Sequence, residues 1–174
     1  SWLVVPAHDV DAIQRGRACQ PDVLVLDLEY GVPPKYKEEA RASLYSTIQE
    51  AAGGAGEVFV RLDWETRWCN VRAAVCPELK GFVVPGPGHP EEIEDLDSLV
   101  TDMEIQKGVV PGRTELVLML ESAKGFWNAV ALAEASRRVT ALGLGRVDLT
   151  MDLGPDPAGE FRLYPYLMSL VLTA

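Results

Sequence analysis

The sequence predicts an α/β fold with a parallel sheet, built from six β-α units in succession. Six short apolar runs recur along the chain, which is typical of strands that are buried on both faces. Segments with helical spacing lie between these runs, and parallel neighbours need such helical crossovers. The predicted strands cover residues 2–6, 22–29, 58–62, 81–85, 116–121 and 141–145.

The helices are predicted from apolar spacing and from their end signals. Residues 35–52 carry an apolar residue at every fourth position before Gly53-Gly54 ends the pattern. Pro90, followed by two glutamates, is a typical helix start. Further helices are predicted over residues 9–19, 66–75, 128–136 and 158–172.

Length and composition indicate one globular domain over residues 1–174. The chain is 48% hydrophobic and 24% charged, and its 16 basic and 26 acidic residues give a net charge of −10. Such an acidic chain is unsuited to nucleic acid and to anionic membranes. No membrane-spanning stretch or signal peptide is recognised, and the three cysteines form no CxxC pair, so we expect a cytoplasmic protein.

Two parallel architectures compete, an open doubly wound sheet and a (β/α)8 barrel of the TIM type. A doubly wound nucleotide-binding sheet carries a glycine-rich turn after its first strand, but this chain has Pro6-Ala7-His8-Asp9 there. The barrel is therefore favoured, in an incomplete form that lacks its last two units, since a complete barrel needs about 250 residues. The exposed edges of such a sheet favour a homo-oligomer.

Polar residues follow several predicted strands, and a barrel gathers those strand ends around one mouth. They are Asp27, Glu29, Arg61, Glu121 and Asp148. Glu121 and Asp148 end neighbouring strands in this prediction, and two carboxylates are the usual protein share of a Mg²⁺ site. The alternative is that either acid caps the following helix or pairs with Arg146 or Lys124.

Arg61 is the predicted substrate-binding cation. Its forked donors suit a carboxylate or an enolate. The alternative role is an ion pair with Asp27 or Glu29, and the two roles can coexist. Arg61, Glu29 and Asp27 are thus the candidate catalytic residues, while Arg61 and Glu121 are the candidates for substrate contact.

Five motifs carry a resemblance that extends over nearly the whole chain. In chain order they read SWLVVP from Ser1, LDLEYGV from Leu26, VR from Val60, LESAKG from Leu120 and GRVDLTMDLG from Gly145. Together they resemble the citrate lyase beta-subunit family, which is related to the metal-dependent 2-keto-acid aldolases.

The resemblance implies a (β/α)8 barrel that makes or breaks carbon–carbon bonds. It implies a 3-hydroxyacyl-CoA substrate such as citryl-, malyl- or citramalyl-CoA, Mg²⁺ held by Glu121 and Asp148, and substrate contact by Arg61. It also implies a homo-oligomer, either a trimer or a hexamer.

The chain departs from the family pattern at three places. Ala7-His8-Asp9 and Pro85-Gly86-Pro87 stand where the family commonly has basic residues, and Tyr30 stands in place of an acid. Two alternatives therefore stay open. One is an aldolase that cleaves pyruvate-derived or other 2-keto acids without CoA, and the other is a catalytically silent scaffold or regulatory subunit.

Overall fold

The strands follow one another in the sheet in the order of the chain. The computed structural model describes residues 1–54 and 56–154, and its six parallel strands pair in the order β1-β2-β3-β4-β5-β6. They are β1 (Trp2–Pro6), β2 (Val23–Asp27), β3 (Glu57–Arg61), β4 (Gly81–Pro85), β5 (Glu115–Leu120) and β6 (Val139–Leu144). A doubly wound sheet reverses its order at a switch point, so this order confirms the incomplete-barrel prediction. Among the described residues the sheet is open, with β1 and β6 at its edges.

Helices follow each strand, as the alternating pattern predicts. They are α1 (Val10–Ala18), α2 (Lys37–Ala52), α3 (Arg67–Ala74), α4 (Pro90–Lys107), α5 (Ala123–Trp127), α6 (Ala129–Glu134) and α7 (Arg146–Leu153). Short 3-10 turns precede α2 and α3. None of the helices in the described part combines the length and apolarity needed to cross a membrane.

Two sequence-based assignments differ from the structure. The second strand ends at Asp27 rather than Glu29, because the N–H groups of Glu29 and Gly31 donate to the Asp27 carboxylate rather than to β3. Asp148 lies in the first turn of α7 and not at a strand end, since β6 stops at Leu144. The helix predicted over residues 158–172 lies outside the described residues.

The two faces of the sheet bury different sets of side chains. The outer face and the helices share one large apolar cluster, in which Leu26, Val60 and Leu118 of the strands are buried with Leu44 and Ile93 of the helices. The inner face carries a smaller cluster, formed by Val23, Val25, Phe59, Val83 and Val117 with Met119 against it. Strand residues alternate between the two faces of the sheet. A residue two positions after a member of the inner cluster on the same strand therefore also faces the inside of the barrel.

Candidate active site

Strand alternation places the candidate site residues at one edge of the inner face. Asp27 follows Val25 by two residues, and Arg61 follows Phe59 in the same way, so both continue the inner apolar rows. The register pairs Asp27 with Arg61 directly across β2 and β3. Glu121 continues the inner row of β5 after Met119. These residues therefore meet at the carboxyl edge, where the active sites of parallel barrels lie.

Asp27 and Arg61 form a bidentate ion pair. Arg61 Nε donates to Asp27 Oδ1 at 2.7 Å, and its Nη2 donates to Oδ2 at 2.6 Å. The backbone N–H groups of Glu29 and Gly31 donate to the same two oxygens, at 2.8 and 2.6 Å. Asp27 is only 2% exposed, so a single buried carboxylate orients both the guanidinium and the turn after β2.

Glu29 lies beside this pair with an unusual proton affinity. Its Oε2 is 3.5 Å from Arg61 Nε, yet that oxygen is buried and accepts no hydrogen bond from the described residues. Burial raises the pKa of Glu29 to about 7, while the Arg61 guanidinium opposes the rise and nearby carboxylates increase it. A carboxyl group with this pKa can both accept and release a proton near neutral pH.

Glu121 and Asp148 interact electrostatically across the ends of β5 and β6. Burial raises the pKa of Glu121 to about 7, and the negative charge of Asp148 adds to the rise while Arg61 opposes it. Among the described residues, Glu121 and Asp148 make no ion pair with Lys124 or Arg146. The cap of α5 is Ser122, whose Oγ accepts from Gly125 N at 3.0 Å, so Glu121 does not cap that helix.

Gly145 gives the Glu121 side chain its room. Its N–H donates to Leu120 O at 2.9 Å, which continues the β5–β6 pairing. A Cβ built on Gly145 would lie 2.2 Å from Glu121 Cγ and 2.8 Å from Oε1. Contacts this short do not occur in real structures, so a glycine is needed where Glu121 turns toward Asp148.

Tyr30 extends from the turn after β2 to the opposite side of the mouth. Its hydroxyl donates a long hydrogen bond of 3.4 Å to Asp148 Oδ1, and its ring centroid lies 5.6 Å from Arg61 Cζ. Burial raises the pKa of the Tyr30 hydroxyl above its ordinary value, and the nearby carboxylates add to the rise. The hydroxyl therefore stays protonated and acts as a donor at neutral pH.

One cavity of about 510 Å³ has Tyr30, Arg61, Glu121 and Asp148 in its lining. In the described part of the chain, no group of three or more His, Cys, Asp or Glu side chains is arranged to hold a metal. The cavity does present two carboxylates, which suit the oxygen preference of Mg²⁺, an ion that keeps several water or substrate ligands. The donor set thus fits a magnesium ion shared with substrate.

The sequence indicated the charged residues of this site, but not Gly145 or the position of the Tyr30 ring. Gly143 near the end of β6 and Gly145 just after it are spaced two residues apart, a pattern that signals close approach of other atoms and could have pointed to Gly145. Tyr30 and Asp148 are separated by 118 residues, so no local pattern reveals their contact.

A model of the HpcH/HpaI aldolase/citrate lyase family matches residues 1–174. The chain belongs to this family. The resemblance predicted from the five motifs is therefore confirmed. The match covers the β2 turn, Arg61, Glu121 and the segment from Gly145 to Asp148, which together build the cavity described above.

Several relatives of this chain are named as lyases. The chain is 31% identical over 148 residues to the L-malyl-CoA/beta-methylmalyl-CoA lyase of Haloarcula marismortui, a match that covers 77% of this chain and 43% of that protein. It is 29% identical over 169 residues to the citrate lyase beta subunit of Leuconostoc mesenteroides, covering 94% and 56% respectively. The chain thus spans about half the length of these relatives.

Solved structures support the same fold. Malate synthase of Haloferax volcanii superposes with a TM-score of 0.83 at 22% identity, covering 99% of this chain and 59% of that chain. The protein CitE of Mycobacterium tuberculosis, solved with magnesium and acetate, superposes with a TM-score of 0.70 at 21% identity, covering 99% and 68%. The described sheet therefore corresponds to part of a barrel.

Proposed function

We propose that this chain carries the active site of a Mg²⁺-dependent carbon–carbon lyase. Its substrate would be a 3-hydroxyacyl-CoA thioester such as citryl-, malyl- or citramalyl-CoA, which the enzyme cleaves or forms. The observation that carries the proposal is that Arg61, Glu121 and Asp148 line one cavity at the carboxyl edge of the sheet. Relatives named as lyases of malyl-CoA and as citrate lyase subunits support this substrate class.

Arg61 binds the carboxylate of the 2-oxo acid part of the substrate. Its Nε and one N–H of Nη2 are held by Asp27, which leaves Nη1 free of these bonds and available to an anion. Asp27 is buried and accepts four hydrogen bonds, so its contacts favour a positioning role over contact with substrate. Its assignment to catalysis stays a prediction.

Glu121 and Asp148 would hold the magnesium ion. When bound, Mg²⁺ supplies a Lewis acid that stabilises negative charge on the substrate oxygen atoms. Burial is the main cause of the raised pKa of Glu121, and the negative charge of Asp148 adds to the rise. A cation between the two acids relieves their mutual repulsion.

Glu29 is the candidate acid–base group. In cleavage, the Glu29 carboxyl takes the proton of the substrate 3-hydroxyl as the C2–C3 bond breaks, which gives the 2-oxo acid and the enolate of the CoA ester. The same carboxyl then returns the proton to the enolate carbon, so the cleavage requires no other proton donor. Without a bound cation, burial raises the pKa of Glu29 to about 7, and a cation at Glu121 and Asp148 would lower that pKa because those two carboxylates contribute to the rise.

An aldolase that uses no CoA is the second candidate. Pro85-Gly86-Pro87 follows β4 in place of a basic residue, and Lys37, which follows the β2 turn, is paired with Asp63. Fewer free cations at the mouth weaken recognition of CoA phosphates. A silent scaffold is the third reading, and the intact pair of Glu121 and Asp148 speaks against it.

Steady-state assays of the full chain distinguish these functions. Cleavage of malyl-CoA and citramalyl-CoA is compared with cleavage of 4-hydroxy-2-keto acids, before and after treatment with EDTA. We expect the CoA esters to be cleaved, EDTA to abolish turnover and added Mg²⁺ to restore it. Preference for the free keto acids would favour the aldolase, and equal rates after metal removal would exclude both enzymes.

A matched pair of variants tests the metal ligand. Glu121→Gln removes one carboxylate charge, so we expect metal-dependent turnover to be lost while the circular dichroism spectrum stays that of the parent protein. Glu94→Gln, at an exposed position on α4, makes the same chemical change away from the site and leaves turnover unchanged. Activity retained in Glu121→Gln would show that Glu121 is not a required metal ligand and would point to another metal site.

A further inference from the structure

The turn that carries Tyr30 is anchored on both sides of that residue. The N–H groups of Glu29 and Gly31 both donate to the Asp27 carboxylate, at 2.8 and 2.6 Å. Asp27 is itself buried and paired with Arg61. The backbone at Tyr30 is thus held in place although the side chain is 70% exposed.

The Tyr30 ring lies across the mouth of the cavity. It approaches Arg61 from one side, with 5.6 Å between the ring centroid and Cζ, which is within cation–π range. On the other side its hydroxyl reaches Asp148 Oδ1 at 3.4 Å. The ring therefore occupies space between the cation expected to hold substrate and one of the two expected metal ligands.

Among the residues that the structure describes, the contacts with Arg61 and Asp148 are the ones that account for the position of Tyr30. An aromatic side chain that is largely exposed buries little apolar area for stability, and this one is turned over the charged mouth. Its ring lines the cavity together with Arg61, Glu121 and Asp148. A bulky side chain on that boundary limits how large a group can lie between the cation and the carboxylates.

We propose that the Tyr30 ring is a specificity-determining group that limits the cavity to 2-oxo acids with short carbon chains. The inference rests on the proposed function, because it takes the cavity to be the binding site of the 2-oxo acid product. The ring, rather than the hydroxyl, sets the limit, since the hydrogen bond to Asp148 is long and contributes little. Removal of the ring should therefore widen the site, and removal of the hydroxyl alone should not.

Binding measurements on the full chain test this limit without requiring turnover. Isothermal titration calorimetry in Mg²⁺ compares glyoxylate, pyruvate, 2-oxobutanoate and 2-oxopentanoate. A methylene that clashes with the Tyr30 ring should weaken binding by about tenfold or more. We expect the parent protein to lose affinity stepwise beyond the acid that fits, and Tyr30→Ala to bind the longer acids about tenfold more tightly than the parent.

Two further variants serve as controls. Tyr30→Phe keeps the ring and should keep the ranking of the parent protein. Tyr45→Ala removes an aromatic side chain of comparable exposure from α2, away from the cavity, and should also leave the ranking unchanged. Thermal unfolding of each variant establishes that it is folded.

The outcomes separate the inference from the proposed function. If the parent protein binds short 2-oxo acids and Tyr30→Ala keeps its ranking, the size limit is not set by Tyr30 although the site remains. A Tyr30→Phe variant that behaves like Tyr30→Ala would assign the limit to the hydroxyl and overturn the inference. If the parent protein binds none of the acids, the proposed function fails and the inference fails with it.

Discussion

Gly145 contributes to the candidate site because it has no side chain and so leaves room for Glu121. The two acids expected to share a cation come from different elements, and their approach depends on the space between β5 and β6. Glu121 occupies the volume that a Cβ on residue 145 would fill. At the scale of single residues, the geometry of the Glu121 and Asp148 carboxylates thus depends on Gly145, which has no charge and whose only hydrogen-bond donor is its backbone N–H.

Gly145→Ala should displace the Glu121 carboxylate and weaken magnesium binding by tenfold or more, in the range found when groups that support a metal ligand are changed. The physical reason is the 2.2 Å contact that the new Cβ would make with Glu121 Cγ. Isothermal titration calorimetry with Mg²⁺ measures the change in affinity. Gly88→Ala is the control, because its Cβ would meet Lys124 Cδ at an ordinary 3.5 Å. Equal affinity in the two variants would show that Glu121 does not need this space.

At the scale of elements, the strands were predictable because each is a short apolar run between helical segments. The charged residues at their ends could be identified for the same reason, since alternation continues past Val25 and Phe59 to Asp27 and Arg61. The position of Asp148 was predicted wrongly as a strand end. The chain from Gly145 onward is rich in apolar residues at close spacing, and only the end of the β5–β6 pairing shows that a helix begins at Arg146.

The opposite edge of the sheet is held by a buried ionic network that joins α4 to β6. Arg138 precedes β6 and donates from Nη1 and Nη2 to the two oxygens of Glu104, at 3.0 and 2.7 Å. Glu104 also accepts from the N–H groups of Gly112 and Thr114, which precede β5. This network lies far along the strands from the candidate site, so we assign it to stability.

Glu104→Gln should lower the free energy of unfolding by about 3 kcal/mol at pH 7, because it leaves Arg138 with less compensation in a buried position. Urea denaturation monitored by circular dichroism measures this. Glu50→Gln is the matched control, since Glu50 pairs with Arg17 at 3.6 Å near the surface and should cost less than about 1 kcal/mol. A similar loss in both variants would contradict the role given to the network.

The loss of stability in Glu104→Gln should depend on pH. Burial opposes ionisation of Glu104, but hydrogen bonds from Arg138, Thr114 and Gly112 outweigh it and hold its pKa below the ordinary value of 4.5. A carboxyl with a lowered pKa in the folded state stabilises the protein above its unfolded pKa, and that contribution is lost as the pH falls further. The stability difference between the parent protein and Glu104→Gln should therefore shrink below about pH 4.5.

At the scale of the whole molecule, the open sheet leaves some apolar side chains uncovered by the other residues that the structure describes. Trp2 and Val4 on the edge strand β1 are 51% and 52% exposed, and they line a cavity of about 410 Å³ together with Val117 and Ala141. An unpaired strand edge beside an apolar surface favours pairing with another chain. Self-association is the consequence that we expect for the 174-residue chain.

Light scattering at micromolar concentration should give a mass above the 19.0 kDa of one chain, with a trimer or hexamer expected from the family. Val4→Lys places a charge on the exposed apolar surface of β1 and should shift the distribution toward the monomer. Val10→Lys makes the same change at an exposed position of α1 and should not. A parent protein that is strictly monomeric would contradict this expectation.

The sequential strand order also determines how the chain can fold. Trp2 pairs with Val23 and Val117 pairs with Ala141, so each strand needs only the unit beside it in the chain. Each pairing closes the crossover of a single β-α unit, and the entropic cost of closing a loop grows only slowly with its length. A chain leaving the ribosome can therefore add one β-α unit at a time, and pulse-labelled hydrogen exchange should show protection that advances from β1 toward β6.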